Sequence, residues 1–113
     1  MLKLTPNPTF KVPVEIQVHG EEAEEVSFIF KHMNDEQIDA FYKRLNSGAK
    51  PTTSKQRLKK DTDVLCEIVD GWEGVDEDFS KANLTKLISN YQGSARCILQ
   101  AWEKEINQAP AKN

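Results

Sequence analysis

The sequence predicts a single α+β domain, an N-terminal β-hairpin followed by about four α-helices packed as a small helical body. Two observations carry this. Apolar and polar residues alternate from Phe10 to Val18 and again from Val26 to Phe30, the period of half-buried strands. After Asn34 the apolar spacing changes to that of a helix, in four stretches that each begin beside a capping residue. The length of 113 residues adds a third constraint. It holds one core, able to bury roughly two-thirds of the unfolded surface without disulfide or metal.

Residues 1–9 carry two prolines and little pattern, and are expected to be a mobile lead-in. The domain proper spans residues 10–106, with the hairpin at 10–31. In its first arm Phe10, Val12, Val14, Ile16 and Val18 alternate with polar residues, and Pro13 marks a sheet edge or a bulge. His19 to Glu25 turns the chain, and Val26, Phe28 and Phe30 form the second arm. A hairpin alone is marginal in water, so it must pack on the helices, gain a strand or pair with another copy. Self-association through Phe10, Val12, Val14 and Phe28, and hence a homo-oligomer, is the expectation this raises.

The first helix, about 35–47, starts at the capping box Asn34/Gln37, buries Ile38, Phe41, Tyr42 and Leu45, and ends at Gly48. A second helix, about 54–71, is capped by Ser54 and places Leu58, Thr62, Leu65, Val69 and Trp72 on one stripe. Gly71 and Gly74 then stop it in an acidic loop. Ser80 caps a third helix, about 81–91, with Leu84, Leu87, Ile88 and Tyr91 on one face. After Gly93, Ser94 caps the fourth, about 95–107, where Ala95, Ile98, Leu99, Trp102 and Ile106 repeat the pattern. Residues 107–113 are expected to fray.

The inventory of reactive groups argues against an enzyme. His19 and His32 have no Cys or His partner at ligand spacing, so no metal is expected. The runs Glu21, Glu22, Glu24, Glu25 and Glu73, Asp76, Glu77, Asp78 lack the calcium-loop pattern and read as solvated loops or docking surfaces for a basic partner. No nucleophile elbow or phosphate-binding glycine loop is present, and no cofactor is expected. Cys66 and Cys97 read as reduced core thiols. No apolar run is long enough to span a membrane.

A net charge of −3 argues against a nucleic-acid partner. The local cluster Lys50, Lys55, Arg57, Lys59 and Lys60 suits an acidic neighbour better. Trp72 and Trp102 fall on apolar stripes as core residues, and where exposed they are first candidates, with Phe79, for interface anchors. Partner binding is therefore assigned to Trp72, Phe79, Trp102, Lys55, Arg57, Lys59 and Lys60.

The hairpin is followed by Phe30-x-His32-Met33-Asn34-Asp35-Glu36-Gln37. Trp72-Glu73-Gly74-Val75, Phe79-Ser80, Asn83-Leu84 and the closing run Tyr91 to Trp102 come after it. From about Phe10 to Trp102 this order resembles the small tail assembly chaperones of long-tailed bacteriophages. The resemblance implies a non-enzymatic phage or prophage protein that binds the tape measure protein and recruits tail tube subunits during tail morphogenesis. It further implies action in the cytoplasm of the bacterial host and absence from the mature virion. Two other readings share the residues: a small phage DNA-binding or regulatory protein using Lys81 to Ile106 as a helix-turn-helix, and a minor structural tail subunit retained in the virion.

Overall fold

A computed structural model describes residues 1–107. Its elements are β1 (Thr9–Ile16), β2 (Glu24–Lys31), α1 (Asp35–Leu45), α2 (Ser54–Ile68), β3 (Val69–Glu73), α3 (Lys81–Asn90) and α4 (Ser94–Ile106). The fold is α+β as expected, with one strand more than the hairpin. The sheet is antiparallel in the order β1-β2-β3, so β2 is central.

The period-2 pattern sorts the hairpin into two faces. Val14, Ile16, Val26, Phe28 and Phe30 point inward and are buried, while Lys11, Pro13 and Glu15 lie on the outer face. The inner face is covered by helices: α4 packs on β1, α2 against β2 and β3, and α3 against α2 and α4. Leu65, Ile68, Leu84, Ile98 and Trp102 complete the core. The third strand and this helical layer meet, within one chain, the hairpin's need for a partner. Val14 and Phe28, expected at a contact between copies, are core residues here.

The main correction concerns residues 69–73. The second helix ends at Ile68, where it was expected to run on to about 71 before turning, and the chain passes straight into β3. Trp72 sits opposite Phe28 and Gly71 opposite Ile29, but Val69 sits opposite Phe30, leaving Asp70 as the extra residue of a β-bulge. The bulge puts Val69 and Trp72, three residues apart, on the same inner face. That spacing also fits a helix, so the stripe Leu65, Val69, Trp72 carries no mark of the change.

Caps differ in detail. Asn34 and Gln37 form the expected capping box, and Ser80 accepts from the Asn83 amide at 3.0 Å. The α2 cap is Thr53, one residue before Ser54, accepting from the Gln56 amide at 3.1 Å. Gly93 is the N-cap of α4, at φ +85°, a backbone angle that favours glycine. Ser94 is instead the first helical residue; its hydroxyl is buried and has no hydrogen-bond partner.

α1 docks through side chains. The Phe41 ring meets Trp102 edge-on at 5.0 Å, and the Tyr42 hydroxyl donates to Glu103 Oε2 at 2.8 Å. Arg44 Nε donates to Glu67 Oε1 of α2 at 2.7 Å. Of the expected tail, only Asn107, the C-cap of α4, lies within the described residues.

β1 forms one edge of the sheet. The His32 amide donates to Pro8 O, so in this register even-numbered β1 residues bond to β2 and odd-numbered ones turn N–H and C=O outward. Pro13 is odd-numbered and removes a donor from the middle of that edge.

Candidate functional site

A groove of ≈ 920 Å³ lies where the end of α1, the first half of α2, the end of α3 and the start of α4 converge. Its floor is apolar, made by Leu45, Leu58, Val64 and Leu99, all half-buried. Its rim carries both signs, Arg57, Lys60 and Arg96 against Asp61 and Glu103. The floor follows from the helical period. Leu58 and Leu65 are one face of α2, with Val64 beside it, and α4 brings Leu99 one residue round from the buried Ile98.

Electrostatics distinguish the rim residues. Burial pushes the Asp61 carboxyl above its usual range, and Arg57 and Lys60 beside it oppose this only in part. Arg57, Lys60 and Arg96 make no ion pair among the described residues, whereas Lys59 is engaged with Asp63 at 3.0 Å. Lys81 of α3 holds the same carboxylate at 2.8 Å, and these two ammonium groups keep Asp63 below the ordinary carboxylate range. The Glu103 carboxylate is shared with Tyr42, whose hydroxyl is pushed up to about 12 by burial and by that contact.

The structure divides the expected partner-binding residues. Arg57 and Lys60 reach the groove; Lys59 pairs with Asp63 on its own helix, and Lys55 is exposed outside the groove lining. Trp102 is fully enclosed and Trp72 is 9% exposed, so neither presents a ring to a partner in this conformation. Trp72 Nε1 donates to Glu77 O at 2.8 Å, and its ring meets the half-buried Phe79 edge-on at 5.1 Å, which pins the acidic loop to the core. Cys97, expected in the core, is exposed. It precedes the buried Ile98 by one residue and is rotated about 100° from it.

Leu45, Asp61, Arg96, Leu99 and Glu103 were not expected at a common site. They lie on three helices separated in sequence, and only the packing of α1, α2 and α4 unites them. Among the described residues, no group of three or more His, Cys, Asp or Glu side chains could hold a metal ion, and no helix is long and apolar enough to cross a membrane.

Fold and groove together define a small one-sheet scaffold that offers open amphipathic surfaces rather than an enclosed chamber. A family model described as phage tail assembly chaperone matches residues 1–113, the whole chain. The chain belongs to that family. No significant match was found among curated proteins or among solved structures.

Proposed function

We propose that this protein acts without catalysis as a chaperone for the phage tape measure protein, and that the groove between α1, α2 and α4 receives an amphipathic helix of that partner. The observation that carries the reading is the family match over the whole chain. The groove's apolar floor and two-signed rim add a surface suited to a helix with an apolar stripe and charged flanks. Arg57, Lys60 and Arg96, free of ion pairs within the described chain, are the groups available to meet acidic residues on it. Many such contacts along a long helical partner add by avidity, so each can be weak. Recruitment of tail tube subunits completes the role, in the cytoplasm of the bacterial host, with the chaperone leaving before the virion is finished.

Co-expression with the tape measure protein tests this directly. The tape measure protein should remain soluble and co-purify, and Arg57→Glu with Lys60→Glu should cut recovery about tenfold, roughly 1.4 kcal/mol. A tape measure protein that stays insoluble beside the folded wild-type chain would sink the reading. Mass spectrometry of purified particles should find the chain absent; stoichiometric presence would mark a retained tail subunit.

A further inference from the structure

A second groove, of ≈ 480 Å³, lies beside the Ile16 end of β1, between the β1–β2 turn, the loop after β3 and α3. Its floor is made by Val18, Val75, Leu87 and Tyr91, and the Tyr91 ring is 37% exposed there. Its rim is acidic: Glu21, Glu24, Asp76 and Glu77 line it, with Lys86 as the one cation among the described residues. The two acidic loops of the sequence thus converge on a single apolar cleft.

The segment before β1 has the complementary character. Leu2 is 91% exposed and Leu4 97%, the largest apolar exposures after Met1. Lys3 lies between them, and residues 1–14 contain Lys3 and Lys11 and no Asp or Glu. Pro6 and Pro8 restrict the backbone before the strand to extended forms.

We propose that residues 2–4 of one copy seat in the acidic groove of a second copy of this chain. Leu2 and Leu4 meet the apolar floor, and Lys3 meets the carboxylates of the rim. A chain cannot seat both leucines in its own groove. The arm joins the sheet at Thr9, whereas the groove adjoins Ile16, the far end of the same strand. Eight strand residues separate these points by roughly 23 Å. Leu4, five residues before Thr9, reaches at most about 18 Å. The contact therefore joins the arm of one copy to the groove of another, closing a two-fold dimer where the exchange is reciprocal and building rings or rows where it runs head to tail. It uses a surface separate from the groove proposed for the tape measure helix, so either can fail alone.

Sedimentation of the full-length protein over a concentration series tests it. The wild-type chain should show mass above the monomer that rises with concentration and falls with added salt. An arm variant, Leu2→Ser with Leu4→Ser, and a groove variant, Glu77→Lys with Tyr91→Lys, should each weaken association about tenfold or more. All four residues are exposed, so both variants should keep the wild-type circular dichroism spectrum and melting temperature. Mixed in equal amounts, the two variants should form a heterodimer and stop there, because only one intact arm and one intact groove are available. A wild-type chain that is monomeric throughout, or an arm variant that associates as the wild type does, overturns the proposal. A mixture that shows no heterodimer overturns it as well.

Discussion

Ser94 is the residue at which spacing and packing disagree most sharply. Its position after Gly93 suggests a cap, and a cap lost to alanine costs about 1 kcal/mol. In the folded chain the hydroxyl is buried without a partner, a group whose desolvation is uncompensated. Ser94→Ala should therefore be neutral or stabilising by up to about 1 kcal/mol in denaturant unfolding. A loss of that size would return the residue to a capping role. Tyr42 gives a second residue-scale prediction. Its folded pKa of about 12 lies above the ordinary 10.0, so the neutral hydroxyl is favoured in the native state. The stability this contributes is fully present below pH 10, and is lost as pH rises toward 12. Stability should fall more steeply over that interval in the wild type than in Tyr42→Phe, and parallel curves would remove Tyr42 as the cause.

Among the elements, β3 depends on one extra residue. Deleting Asp70 should make the strand regular, with Val69 and Trp72 still facing inward, so the chain should stay folded at a cost on the order of 1 kcal/mol. Inserting alanine between Gly71 and Trp72 should turn the indole outward and cost about 3–5 kcal/mol, the range for losing a buried aromatic. Thermal melts of the two variants would show the contrast. Were residues 69–72 helical, the deletion would instead rotate Trp72 about 100° off its stripe. Much of the architecture was legible because most elements have one period and a cap: the hairpin's alternation and the Asn34 and Ser80 caps all stand in the structure. β3 was not, since five residues with a bulge reproduce the spacing of the helix they continue. The groove residues were individually legible as half-apolar helix faces, but their meeting depends on inter-helix packing that no local pattern encodes.

For the molecule as a whole, charge and apolar burial serve different ends. The ion pairs Lys11–Glu73, Lys59–Asp63 and Lys81–Asp63 are largely exposed, and such pairs contribute little to stability. Raising the salt concentration should leave the melting temperature nearly unchanged while weakening the contacts proposed for the charged rims. A parallel fall of both would mean that surface charge holds the fold. The uninterrupted passage from Ile68 into Val69 has a mechanical meaning. α2 forms a wall of one groove, and Trp72, four residues past its end, lines the other. With no loop between them to absorb displacement, helix and strand form a single lever, and a ligand that tilts α2 must strain the seat of the indole. In a Trp102→Phe background, Trp72 fluorescence should therefore change when a partner occupies the α2 groove, reporting in one groove what is held in the other.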